Sequence, residues 1–478
     1  MMMKLLQLCV SRTCFNGSTN SRVLSSFTYS LNHNTSMSSL AAKNTLYSRL
    51  MPHGNPTDSM NPILDQWVSE GNPIEKNEFI QIIKLLRKYR RYGHALQVLD
   101  WIRKEKHFEL SAAEYAVRLD IMSKLHGPEQ AENYFDNDIP LSFKGLAVYG
   151  SLLNCYAHAK LVDKAETLMQ KMRELGYLEN SLPYNVMMTL YSSLGKHENL
   201  DLLLKEMEEK GIRFSKFTFT IRLNAYALAA DISGMETFFK KIETDHPTVI
   251  DCHTYLVTAN GYSRAGNVEK TKEMLRKVEQ LAKGGQILKK KKAYEIVLSM
   301  YASIGDKTGL SRVWNLFKQS GQIQNMSYLT MISSLLKLDD IVGAEEIYRE
   351  WENTKTFFDP RVLNTLINGY CKKGMMGKAK ELLDRLIQNN EEINVSTWDH
   401  MATGYYQAGQ MEEAVEATKK ILQVSRSSWK PNVSTLAACV DYLKGKEGAK
   451  EFEELLRNKD HIPSELCDRL SSGSIDGI

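Results

Sequence analysis

Four consecutive lysines, Lys289, Lys290, Lys291 and Lys292, form the longest run of positive charge in the 478-residue chain. Such a run can draw in phosphate oxygens, because that attraction follows local basic density. Covalent and metal chemistry finds less to work with. The seven cysteines contain no Cys-x-x-Cys pair, and the eleven histidines show no metal-ligand spacing. Neither a disulfide framework nor a common zinc site is expected from such a pattern. His107-Phe108-Glu109 has the first half of a zinc-deaminase pattern, but no Cys-x-x-Cys completes it. No paired acids, no nucleophile with its base and no phosphate loop stand out. The residues therefore point away from an enzyme and call for no cofactor and no metal.

The elements that would position any binding residue are read from the stretch Pro360 to Asn394. Leu363, Leu366, Ile367 and Tyr370 recur at i, i+3, i+4 and i+7, the spacing of one helical face. Gly374 follows as a stop that accepts a left-handed backbone. Ala379, Leu382, Leu383, Leu386 and Ile387 then share one face of a second helix. The unit is a helical hairpin whose two stripes need neighbours to cover them.

Copies of the pattern start at Lys76, Ala112, Leu146, Ser181, Lys216, Cys252, Lys291, Asn325, Pro360, Val395 and Val433, at intervals of 34 to 39 residues. A period held over about 380 residues predicts an all-α solenoid, a right-handed superhelix of about eleven helix-turn-helix repeats spanning 76–459. Each unit carries an aromatic or apolar residue in two slots of its first helix, as in Tyr149 and Tyr156, Tyr184 and Tyr191, and Phe219 and Tyr226. At seven-residue spacing these read as core and not as base-stacking platforms. The cluster Arg87, Lys88, Arg90 and Arg91 reads as a solvated helix end.

The ends differ from the array. Residues 1–57 hold five basic and no acidic residues, with many Ser, Thr and Asn. That composition predicts a transit peptide and disordered leader for a mitochondrion, with a chloroplast as the rival destination. Without it the chain has 56 basic and 57 acidic residues, so any nucleic-acid binding must come from a local face. Residues 58–75 contain a short capping helix around Pro62 to Val68, and 460–478 form a flexible tail. No apolar run is long enough to span a membrane.

The wording of the units narrows the family. Tyr184 to Ile212, YNVMMTLYSSLGKHENLDLLLKEMEEKGI, and the stretch LNTLINGYCKKGMMGKAKELLDRLIQNN resemble the pentatricopeptide repeat consensus. The early Trp and Leu-Gly of tetratricopeptide repeats are missing. LDQWVSEG, LRKYRRYGHALQVLDWI and STWDHMATGYYQAGQMEEAVEA are similar to a subgroup of short plant mitochondrial members. The resemblance to P-class pentatricopeptide proteins covers about Lys76 to Lys459.

The resemblance implies binding of single-stranded organellar RNA. In such arrays the fifth and last residues of a unit together contact one base. Carried over, Asn185 with Ser215 matches a cytosine pair, Thr220 with Asp251 a guanine pair, and Asn364 with Asn394 a pyrimidine pair. Read along the array, these imply a C-G step followed four bases on by a pyrimidine. Other units depart, as with Ile80 and Ser111, Leu256 and Lys290, or Asp399 and Asn432. The expected role is transcript stability, processing or translation. The alternative is a helical scaffold bound to a mitochondrial ribosome or other protein complex, which the near-neutral charge favours.

Overall fold

The computed structural model describes residues 45–459 apart from 54–57, 74, 105–108, 284–290, 322, 356–357, 390, 392 and 425–431. Every unit start read from the sequence is the first residue of a helix. These first helices are Lys76–Lys88, Ala112–His126, Leu146–His158, Ser181–Leu194, Lys216–Leu228, Cys252–Arg264, Lys291–Ser303, Asn325–Lys337, Pro360–Lys372, Val395–Gln407 and Val433–Leu443. The second helices are Tyr92–Lys104, Pro128–Asn133, Val162–Glu174, His197–Glu209, Ile232–Asp245, Val268–Lys283, Lys307–Gln319, Ile341–Thr354, Met376–Gln388, Met411–Val424 and Ala449–Arg457. Regular structure is all helical among the described residues, the solenoid class that the period requires.

The Pro360 hairpin shows how sequence makes the unit. Asp359 caps the first helix through the backbone N–H of Arg361, and Pro360 at its start has no N–H to leave unpaired. Leu363, Leu366, Ile367 and Tyr370 are all buried. Gly374 turns the chain at φ +69°, the left-handed region expected of it. Asp339 occupies the same slot in the Asn325 unit at φ +64°, where a short polar side chain tolerates the strain. Ala379, Leu382, Leu383 and Leu386 bury as expected, but Ile387 is 49% exposed. It lies at the edge of the stripe, one step past Leu386.

The described residues divide into two compact bodies, parted between Gly261 and Tyr262. Within each, two rows of helices form. First helices join first helices through buried bonds, such as the Ser151 hydroxyl donating to the Ala116 carbonyl at 2.8 Å. Second helices join second helices through ion pairs at the surface, such as Arg173 to Glu206 at 2.9 Å and Lys419 to Glu451 at 2.7 Å. Partners lie about one repeat apart in sequence, so these contacts are between neighbouring units.

The aromatic slots are core. Tyr149, Tyr156, Tyr184, Tyr191 and Phe219 are buried, and Tyr226 is partly so. The second-slot hydroxyls reach back to glutamates: Tyr156 to Glu132 at 2.8 Å, Tyr191 to Glu166 at 2.9 Å and Tyr370 to Glu345 at 2.9 Å. Burial and the nearby carboxylate push the Tyr191 phenol up to about 12. A buried aromatic with its polar tip satisfied by its own protein offers no open ring face to a base.

A described helix lies within the segment assigned to the leader. Leu46–Leu50 is a helix with Leu46 and Leu50 fully buried against Leu64, Trp67 and Ile82. Arg91 holds it by donating to the Met51 carbonyl at 2.9 Å. The helix Asn61–Ser69 follows and packs on the first hairpin, where the Trp101 indole donates to Asp65 at 2.7 Å. The arginine cluster is accordingly not all solvated. Lys88 and Arg90 are exposed, whereas Arg87 bonds to buried Asp120 at 2.7 Å.

Candidate nucleic-acid interface

The first-helix row carries the paired positions. A polar residue stands fifth in only some units, on the turn after the cap. In two of them the structure brings fifth and last residues into direct contact. Asn185 Nδ2 donates to Ser215 Oγ at 3.0 Å. Asn364 Nδ2 donates to Asn394 Oδ1 at 3.1 Å. The asparagines are only 3% and 7% exposed. Each amide group also has a second N–H, and its carbonyl oxygen carries two lone pairs, of which one accepts a threonine hydroxyl.

The third expected pair is arranged differently. The Thr220 hydroxyl donates to the Lys216 carbonyl at 2.8 Å, one turn back along its own helix. Asp251 Oδ1 accepts from the backbone N–H groups of His253 at 2.8 Å and Thr254 at 3.3 Å. Its other oxygen faces Lys216 Nζ at 3.6 Å. Of the lysine run, Lys289 and Lys290 lie outside the described residues, as does the side chain of Lys291. Lys292 is exposed in the first turn of its helix.

The last residue has a second duty that explains its chemistry. Asn180, Ser215, Asp251, Asp359, Asn394 and Asn432 each accept a hydrogen bond from the first turn of the next first helix. Capping alone favours Asn, Asp and Ser at this slot. A polar last residue is therefore a weak signal for base contact, and its pairing with a polar residue on the preceding first helix is what marks a candidate.

One such candidate pair escaped the sequence reading. Asn432 Nδ2 donates to Thr403 Oγ1 at 3.2 Å, and Thr403 and Thr435 hydroxyls lie 3.4 Å apart. Thr403 is the ninth residue of its unit, one turn beyond the fifth residue Asp399. The half-buried Asp399 has its carboxyl raised by that burial. The interval to the next unit is 38 residues here, and Asn432 meets the row one turn later. A signal was available: the ninth residue is polar in every unit, from Lys84 and Asp120 to Thr403 and Asp441.

Comparison with known proteins identifies the repeats. The PPR repeat pattern matches residues 147–177, 183–212, 326–353, 358–387 and 396–423. The chain is 42% identical over 431 residues to the Arabidopsis thaliana pentatricopeptide repeat-containing protein At2g20710, mitochondrial, covering 90% of this chain and 87% of that one. It is 32% identical over 419 residues to the mitochondrial protein At4g21705 of the same plant, covering 87% and 84%. Among solved structures it is similar to the pentatricopeptide repeat protein PPR10 in complex with an 18-nt psaJ RNA element. That match has a TM-score of 0.50 and 17% identity, and covers 87% of this chain and 58% of that chain. Repeat pattern, full-length relatives and hairpin geometry agree, and the chain belongs to the pentatricopeptide repeat family.

Proposed function

We propose that this protein binds single-stranded RNA in a mitochondrion and acts on transcript stability, processing or translation. The observation that carries the reading is the pairing of Asn185 with Ser215 and of Asn364 with Asn394 across the two ends of one unit. Each pair leaves donor and acceptor capacity side by side, the requirement for reading a base edge. The RNA held by PPR10 supports the class of ligand. Exposed basic residues near the ends of first helices, including Lys88, Lys337 and Lys372, supply phosphate contacts without sequence preference. No helix among the described residues is long and apolar enough to cross a membrane.

Filter binding at two salt concentrations, with oligoribonucleotides differing at one base, tests the reading. Asn364→Ala is expected to cost roughly 1–3 kcal/mol with the preferred pyrimidine at that base and little elsewhere. Weak binding to every oligonucleotide, unmoved by Asn364→Ala, leaves the protein-scaffold alternative in front.

The destination is tested separately. A fluorescent reporter fused after residue 44 is expected to enter mitochondria, since residues 1–44, ahead of the packed helix Leu46–Leu50, hold four of the five basic residues and no acid. Import into chloroplasts, or a cytosolic reporter, would show that the composition was misread.

A further inference from the structure

We propose that Thr397 and Thr218 are positioning residues for base recognition, each orienting the reading asparagine of the unit before it. The proposal rests on the RNA-binding reading above and names residues outside the fifth and last positions.

Thr397 is the third residue of the Val395 unit and is fully buried. Its hydroxyl lies 2.6 Å from Asn364 Oδ1 and 3.1 Å from Asn394 Oδ1 in its own cap, and its single proton goes to the nearer, Asn364. At the other end of that amide, Nδ2 donates to Asn394 Oδ1. Asn394 Oδ1 is itself fixed by the backbone N–H of Thr397 at 3.0 Å. A flipped Asn364 amide would set two carbonyl oxygens against each other with no proton between them. The amide is thus held at both ends in one orientation. Its remaining N–H and lone pair keep fixed places for a base.

The same link occurs in the other compact body. The hydroxyl of fully buried Thr218 donates to Asn185 Oδ1 at 2.8 Å, while its own oxygen accepts the Ser215 backbone N–H at 3.1 Å. A weaker version joins Ser327 to Glu295 at 3.3 Å. In all three the donor is the third residue of one unit and the acceptor is the fifth residue of the unit before. A capping hydroxyl would need only its own helix turn. Here it reaches across a unit boundary to a nearly buried side chain, so the geometry of one reading position is set by the first turn of the next unit. Preorganisation of this kind strengthens binding by removing the cost of ordering the side chain on contact.

Thr254 supplies a matched comparison. It is the third residue of its unit, buried, and engaged with its cap Asp251 in the same way. The fifth residue before it, Thr220, bonds instead to the Lys216 carbonyl.

The test uses the full chain, with Thr397→Val, Thr397→Ser and Thr254→Val variants. Each is titrated against synthetic oligoribonucleotides that differ only at the base facing the Pro360 unit, and each is melted. Thr397→Val keeps the shape and removes the donor. It is expected to bind the preferred pyrimidine oligonucleotide about fivefold more weakly, one hydrogen bond's worth, and to lose its base preference. Thr397→Ser is expected to restore both, and Thr254→Val to leave the preference at this base unchanged. Unaltered affinity and preference in Thr397→Val overturn the proposal. So does an equal loss in Thr254→Val, which would mark a general folding effect. A wild-type chain that binds none of the RNAs sinks the RNA-binding reading and this proposal with it.

Discussion

Ala379→Glu is expected to open the Pro360 hairpin, at a cost of about 3–5 kcal/mol, by forcing an unpaired carboxylate into the core. The slot is fully buried, and so are its counterparts Ala95, Ala131, Ala165, Ala344 and Ala414. Size alone is not what the slot forbids. Leu200, Met235 and Leu310 fill it in other units with no exposure. Ala379→Leu, which tests overpacking, is therefore expected to cost less, about 1–3 kcal/mol. Hydrogen exchange distinguishes local from global damage. Because each repeat rests on its neighbours, loss of protection should centre on the Pro360 unit and fade through the Asn325 and Val395 units. Wild-type protection and melting in Ala379→Glu would mean the second helix does not pack as described.

That slot also shows what a sequence of this kind discloses. The unit starts were legible because a helical stripe of Leu, Ile and Tyr repeats both within the helix and from unit to unit. Two periods together fix the register of each first helix to the residue. The buried small residue of the second helix followed from the same alignment. Features that cross unit boundaries were harder to read. Thr397 looks like an ordinary capping-turn threonine until its bond to Asn364 is seen. Asn432 could be matched with Asp399 by counting, but the longer interval moves it to Thr403. The helix Leu46–Leu50 sits within a segment whose overall composition is that of a leader, and two buried leucines are too few to announce a helix against that background. Composition averages over a window, whereas packing depends on single residues.

The arginine run of the first unit was read by charge alone, and its third dimension yields the second large expected effect. Asp120→Ala is expected to destabilise the first hairpins by about 3–5 kcal/mol, the usual result of leaving a buried charge without its partner. The carboxylate of Asp120 is almost wholly buried and accepts from Arg87 at 2.7 Å and Lys124 at 2.7 Å. Burial by itself would raise this carboxyl, but Lys124 and Arg87 outweigh it and hold it below the ordinary carboxylate range. The sign for pH follows: a depressed group stabilises the fold above its unfolded value, and that contribution is lost as pH falls through the lower folded value. Removing Asp120 produces the loss at neutral pH, because it leaves the Arg87 guanidinium without its buried carboxylate. Replacing both Asp120 and Arg87 by apolar residues of similar size is expected to cost less than Asp120→Ala alone, since the buried Arg87 charge goes too and only the half-buried Lys124 loses a partner. Urea melts of the single and double variants decide between the two accounts. A single variant as stable as the double would mean that water reaches Arg87, and that the run is a solvated helix end after all.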